Sequence, residues 1–438
     1  MKRGKKAIAL LLAVLVCGNL FACGGESREL GVPARAEALS HEERLEADYR
    51  KTAERAEAFA PAFAAAAYRI REAADGNVAV APVSVFMAMS LAAVCAGGET
   101  REEILSALGL SYGELRAGFS AFYRSLTAEF TTNTGDLEGE LALGNSIWLN
   151  EETAVNGDCI RTLSEDFFCY SYAADFLSDN RRANRAVRDF VKEQTRGIID
   201  RDFALQTDTL FALINTLYLK DIWREYGKKL SFTAENYEFT ECDGATRAQK
   251  LLVGNYAAGR VSENERYATF FARTYNGFRL QFILPKNGYS VDEVFTAASL
   301  AEAAAITDWG AVDEENRIRY YTRCLFPAFE ASFDGEVKSL LQDAFGIRSL
   351  FDRDTCDLSS LSENRAYCSR VRHAAELKVN ERGIEGAAVT VMTFPGAGDP
   401  GPDPYEDVFL DFVVDGAFGF ILSDPYGVTL FSGVVNRL

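Results

Sequence analysis

Histidine, the side chain that most often moves protons near neutral pH, occurs at only two of the 438 positions, His41 and His373. A Ser-His-Asp triad or a multi-histidine metal site therefore has almost nothing to be built from. The nine cysteines contain no CxxC pair, and the chain has neither a phosphate-cradling glycine loop nor a paired-carboxylate signature. An enzyme is not expected, and neither is a metal or a cofactor. Cys95, Cys324 and Cys368 sit in apolar or strand-like contexts, which predicts mostly free, buried thiols. Cys159 and Cys169 make the best candidate pair if a disulfide exists.

The segment most open to chemistry is one that another protein would act on. From Ile384 to Phe394 every second residue is small or apolar: Ile384, Gly386, Ala388, Thr390, Met392 and Phe394. That is the period of a strand with one buried face. It runs straight into Pro395–Pro404, where four prolines and three glycines deny ladder hydrogen bonds and mark a long exposed loop. A potential strand is thus joined to a bait-like loop.

The elements that would position this segment read as one α+β domain. Helical spacing covers Thr52 to Arg71 and Arg181 to Gln194, while Leu213 to Leu219, Phe278 to Leu284 and Ala417 to Leu422 read as strands. Helices come early and strands cluster late, with no internal repeat or low-complexity linker between them.

At the N-terminus, Lys2, Arg3, Lys5 and Lys6 precede an apolar run from Ala7 to Val16 and then Leu20-Phe21-Ala22-Cys23. This reads as a lipoprotein signal peptide, residues 1–22, with Cys23 as the lipidated first residue of a bacterial cell-surface protein. The alternative is a plain secretory signal cleaved near Ala22. Residues 23–50 are expected to be a polar tether and 51–438 the folded domain. Removing four basic residues takes the formal charge from −18 to −22. Such a surface disfavours nucleic acid and adsorption to anionic lipid, so membrane contact would come through the anchor alone.

Val379-Asn380-Glu381-Arg382-Gly383-Ile384-Glu385-Gly386-Ala387-Ala388 resembles the hinge of the serpins, and Phe431-Ser432-Gly433-Val434-Val435-Asn436 resembles their C-terminal motif. Similar echoes occur, in order, at Asn77–Ser84, Ala96–Thr100, Phe211–Trp223, Leu284–Lys286, Phe326–Phe329 and Phe412–Phe418. The resemblance implies a serpin fold of about nine helices and three sheets, with a reactive-centre loop at about 383–408. Its hinge would comprise Glu381, Gly383, Ile384, Glu385, Gly386, Ala387 and Ala388. Ser84, Asn215 and His373 would form a buried hydrogen-bond network, the shutter, under the central sheet.

The resemblance also implies a suicide substrate. A target serine protease, or a cysteine protease as a second class, would cut the loop and be held as a covalent acyl complex while the freed strand inserts into the sheet. Counting sixteen residues from Glu381 places the reactive bond at Ala397-Gly398, with Met392-Thr393 the weaker alternative. A small residue there suits elastase-like or subtilisin-like enzymes. No Lys or Arg lies between Arg382 and Arg437, which excludes trypsin-like ones. A monomer is expected. Departures from the family pattern at Ile384, Gly386, Ala81, Phe190 and Ala328 leave a non-inhibitory serpin, a protease substrate or a binding or storage module, as the alternative. A third reading is a surface lipoprotein presenting its acidic Asp399–Asp411 segment to a partner.

Overall fold

The computed structural model describes residues 27–438 apart from 71–75, 132–136, 208, 224–228, 287, 369 and 385–404. Its helices among these are α1 (Ala47–Arg69), α2 (Pro82–Cys95), α3 (Gly98–Leu108), α4 (Tyr112–Ser125), α5 (Gly157–Glu165), α6 (Asn180–Gln194), α7 (Val291–Val294), α8 (Ala297–Ala304) and α9 (Lys338–Phe345). Local chemistry explains several of their ends. Ser111 and Glu114 form a reciprocal capping box at the start of α4, and the Asp179 carboxylate accepts from Arg182 N at the start of α6.

Sheet A runs β1 (Arg28–Gly31), β5 (Cys169–Ala174), β4 (Leu137–Asn150), β6 (Phe211–Ile222), β18 (Gly383–Ile384), β17 (Arg372–Val379) and β16 (Phe329–Glu336), with β3 (Ala128–Thr131) beside β4. Sheet B orders β11 (Ser262–Glu263), β12 (Tyr267–Arg273), β13 (Arg279–Pro285), β20 (Phe418–Ser423), β21 (Thr429–Val435) and β2 (Val78–Val80). In sheet C, β15 (Ile318–Phe326) is flanked by β9 (Leu252–Val253), β10 (Ala257–Ala258), β14 (Val312–Asp313) and β19 (Glu406–Val413). A separate hairpin joins β7 (Tyr237–Thr240) to β8 (Thr246–Gln249). The expected α+β class and three sheets are therefore present.

One core spans α1, α2 and the facing sides of sheets A and B, and α2 is buried nearly all round, as a helix apolar on every side must be. A smaller cluster lies on the opposite face of sheet A. There Ala183, Ala186, Val187, Phe190 and Val191 of α6, at helical spacing, cover Trp148, Tyr172 and Ile214. Phe190 packs edge-on to Trp148 with ring centroids 5.9 Å apart.

The tether expected at residues 23–50 needs correction over its described part. Arg28–Gly31 is not free chain but a strand, antiparallel to β5 with Arg28 opposite Ala173 and Gly31 opposite Ser171. Leu39 is buried, and α1 already begins at Ala47. Four residues with one large apolar side chain carry too little periodicity to announce a strand. The ladder is supplied by the edge of β5, which local sequence cannot reveal.

Candidate functional site

At the upper end of sheet A, β17 turns into β18 through a tight loop. Asn380 N donates to Gly383 O (3.0 Å), and the Asn380 side chain accepts from Arg382 N (2.8 Å). Trp223 Nε1 donates to Asn380 O (2.6 Å) and Leu230 N to Glu381 O (2.7 Å), fixing the turn from outside. Gly383 faces Ile222 and Ile384 faces Asp221 on β6, while Ile384 also faces Val379 on β17. A Cβ on Gly383 would lie 2.0 Å from Asp221 O, so only glycine fits. Ile384 is fully buried.

The hinge glutamate finds a partner that sequence reasoning missed. Ala328 offers no charge, but Lys229 Nζ reaches Glu381 Oε1 at 2.9 Å, and this bond holds the Glu381 carboxyl below its ordinary range. Asp221 is the other omission. Desolvation pushes its pKa up, although it accepts from Asn276 Nδ2 (2.6 Å) and Ile222 N (2.9 Å). Both belong to the strand-to-loop junction around Trp223, whose partners are distant in sequence.

Below β18, β6 pairs with β4 and β17 with β16, and among the described residues no ladder joins β6 to β17 directly. A cavity of about 120 Å³ lies between them, lined by Ser84, Met89, Phe203, Leu213, Asn215 and His373 among others. The three shutter residues do meet here, but in two separate connections. Ser84 Oγ donates to Asn215 Oδ1, and Asn215 Nδ2 donates to Asn145 Oδ1 (2.6 Å), which adds Asn145 to the set. Asn145 in turn donates to Phe167 O (3.1 Å).

His373 is held instead by the backbone: Ala81 N donates to its Nε2 at 3.0 Å. The alanine at 81 thus contributes through its amide. With Nε2 accepting, the ring is neutral and burial pushes its pKa down to about 4. Phe63 and Phe333 flank it at 5.8 and 5.7 Å.

The other expected site residues, Cys23, Glu385, Gly386, Ala387, Ala388, Met392, Thr393, Ala397 and Gly398, lie outside the described residues. Among the described residues no cluster of His, Cys, Asp or Glu could hold a metal, and no helix is long and apolar enough to cross a membrane. The seven described cysteines are free thiols, and the candidate pair Cys159 and Cys169 is unbonded. Cys95 instead interacts with Cys159, and this contact raises the pKa of the more deeply buried Cys95 and lowers that of Cys159.

A strand wedged into the top of a sheet otherwise divided among the described residues, with a polar joint beneath it, agrees with the motifs of the sequence. The family model described as Serpin (serine protease inhibitor) matches residues 59–438. The chain belongs to the serpin family. Rice (Oryza sativa subsp. japonica) putative serpin-Z6C is 26% identical over 392 residues, covering 84% of this chain and 92% of the relative. Sheep (Ovis aries) corticosteroid-binding globulin is 25% identical over 352 residues, covering 78% and 76%. The native-state structure of tengpin, a thermophilic serpin, superposes with a TM-score of 0.67 at 20% identity, covering 94% of this chain and all of tengpin.

Proposed function

We propose that this serpin is a suicide-substrate inhibitor of elastase-like or subtilisin-like serine proteases, attacked at Ala397-Gly398 and completed by insertion of Ile384–Phe394 into sheet A. The observation that carries the reading is the register of β18. Gly383 opposite Ile222 and Ile384 opposite Asp221 start an antiparallel strand between β6 and β17. Continued downward, that register puts Phe394 opposite Phe211, the first residue of β6, and Pro395 just past it. The stretch free of proline therefore matches β6 in length, about 40 Å at 3.3 Å per residue.

Side chains agree with the same register. Gly386 and Ala388 fall on the inward face between the buried Leu219 and Leu377, then Leu217 and Ala375. Thr390 arrives between Asn215 and His373, where a hydroxyl can both donate and accept. On the outer face Glu385 arrives between Lys220 and Lys378. Inward burial of Ile384, Met392 and Phe394 contributes about 1.5 to 3 kcal/mol each. Ile384 already occupies the first position without exposure, so its size is accommodated there. Ala397, three residues beyond Phe394, would carry the acylated enzyme to the far end of the sheet and distort it.

We also propose that the protein is extracytoplasmic and anchored through Cys23. In that case its anchor would emerge near Arg28, which is level with Phe211 and so at the end of sheet A opposite the hinge. The loop would then face away from the lipid surface.

The test mixes the domain with an elastase-like protease and follows denaturing electrophoresis and the released peptide. A detergent-stable adduct with a peptide beginning at Gly398 supports inhibition. Cleavage without an adduct would leave the substrate or binding alternative, the class to which the corticosteroid-binding relative's name points.

A further inference from the structure

The segment that follows α6, residues 195–206, crosses the outer face of sheet A over the line along which β6 and β17 are divided. Ile199, Phe203 and Leu205 line the cavity from outside, opposite Met89 and Ala92 of α2. The segment is fastened on both sides of that line, and the two fastenings differ in kind.

On the β6 side it is bound into α6. Arg188 Nε and Lys192 Nζ hold Asp200 at 2.6 and 2.7 Å. The Asn184 side chain donates to Leu205 O (2.9 Å) and accepts from Leu205 N (2.8 Å). Arg196 Nε donates to the nearly buried Glu140 of β4 at 3.2 Å. With the apolar cluster beneath α6, these contacts make the segment part of the β4/β6 half of the molecule.

On the β17 side the polar fastening centres on one side chain. Arg201 Nη1 donates to Asp334 of β16 at 2.9 Å, and its Nη2 donates to Glu376 of β17 at 3.5 Å. One weaker bond accompanies it, from Arg372 Nη1 to Asp202 O at 3.4 Å. Asp334 is a firm anchor, since Arg372 also grips both its oxygens at 2.7 and 2.8 Å. Burial opposes its ionisation, yet Arg372 and Arg201 together hold its carboxyl below the ordinary range.

Admitting a strand between β6 and β17 requires the two halves to separate by one strand spacing, about 4.8 Å. Contacts within either half survive that movement. Contacts that span the line do not: donor–acceptor distances of 2.9 and 3.5 Å cannot absorb it. We propose that Arg201 is a latch across the dividing line of sheet A, and that release of its bonds to Asp334 and Glu376 limits the rate at which the sheet accepts a strand. The inference rests on the loop-insertion reading and adds a residue that sets the insertion rate. It makes Arg201 a positioning residue: it touches neither the bait loop nor the protease, but governs how long the acyl intermediate waits.

The latch is tested without any protease. A synthetic peptide of residues 385–394 is incubated with the intact protein, and its uptake is followed by native electrophoresis and by the gain in thermal transition temperature. Arg201→Gln is expected to take up peptide about fivefold faster than wild type, the scale of a partly exposed ion pair. Arg201→Lys, which keeps one bond, should fall between. Arg319→Gln, which removes the Arg319–Asp407 pair on sheet C, should match wild type. The filled complexes of wild type and Arg201→Gln should melt together, because the latch is open in both. Equal uptake rates for wild type and Arg201→Gln would overturn the latch while leaving insertion intact. No uptake by any of the four proteins would overturn the insertion reading and the latch with it. Faster uptake by Arg319→Gln as well would reassign the effect to general loosening and also defeat the latch.

Discussion

Sheets A and B both pack against α2, yet their middles are filled differently. In sheet B, β20 and β21 are buried at every residue, and the ladder runs unbroken from β13 through β20 and β21 to β2. In sheet A, among the described residues, β6 and β17 are joined only through the two residues of β18, and Ser84, Asn145, Asn215 and His373 are gathered beneath. Interlocked apolar side chains have one good arrangement and lose contacts on any displacement. Hydrogen-bonding side chains can exchange one partner for another at small net cost, provided none is left unpaired. A fixed sheet and a sheet meant to admit a strand would be filled in these two ways.

The comparison breaks first, and most severely, in sheet B. A Cβ at Gly433 would lie 1.8 Å from Val78 O and 2.8 Å from its carbonyl carbon, both backbone atoms that cannot turn aside. Gly433→Leu should therefore separate β2 from β21 and cost more than about 4 kcal/mol. Urea unfolding would register this as loss of the native transition, and a folded variant with an unchanged midpoint would refute the picture of a locked sheet.

In sheet A the corresponding change should spare the native protein and strike only its inserted form. Ala388→Arg would place a guanidinium between Leu217 and Ala375 in the register derived from β18, where an unpaired charge costs about 3 to 5 kcal/mol. Before cleavage that side chain belongs to the proposed bait segment, so the unfolding free energy of the uncut protein should stay within about 0.5 kcal/mol of wild type. After cleavage the variant should fail to gain thermal stability, and active protease should be recovered in place of an adduct. A cleaved variant as heat-stable as wild type would show that position 388 does not face inward.

The two sheets were not equally legible in the sequence. Runs such as Phe278–Leu284 and Ala417–Leu422 announce buried strands by composition, and β13 (Arg279–Pro285) and β20 (Phe418–Ser423) lie within a residue of them. Motif resemblance also placed Ser84, Asn215 and His373 at one joint. What sequence could not supply was which groups complete each bond. Asn145 enters through a cross-strand pairing with Asn215, Ala81 contributes only its amide, and Lys229 reaches Glu381 from 152 residues away. β1 was likewise hidden, because its partner strand lies more than a hundred residues on. Local periodicity records which face a residue shows, whereas pairing across the fold is decided by topology.

The smallest effect sharpens the comparison at a single ring. His373 is neutral in the fold, with burial pushing its pKa down to about 4, while in an unfolded chain it titrates near the ordinary histidine value of 6.5. Between those values the unfolded state binds more protons than the native one, so this histidine's contribution is fully present above about pH 6.5 and is lost as pH falls toward 4. From pH 7.5 to 5.0 the loss should be about 2 kcal/mol. Two other buried groups act in the opposite sense over the same window. Desolvation raises Glu57 to about 7 and Asp424 to about 6, so the native state gains protons there and is stabilised as pH falls. The informative quantity is therefore the difference in unfolding free energy between wild type and His373→Gln, whose side chain can still accept from Ala81 N but does not titrate. A difference that narrows by about 2 kcal/mol on acidification identifies His373 as the acid-sensitive member of the sheet A joint. A constant difference would mean that the ring reaches water in the native state, and the joint would then be looser than its hydrogen bonds to Ala81 and around Asn215 require.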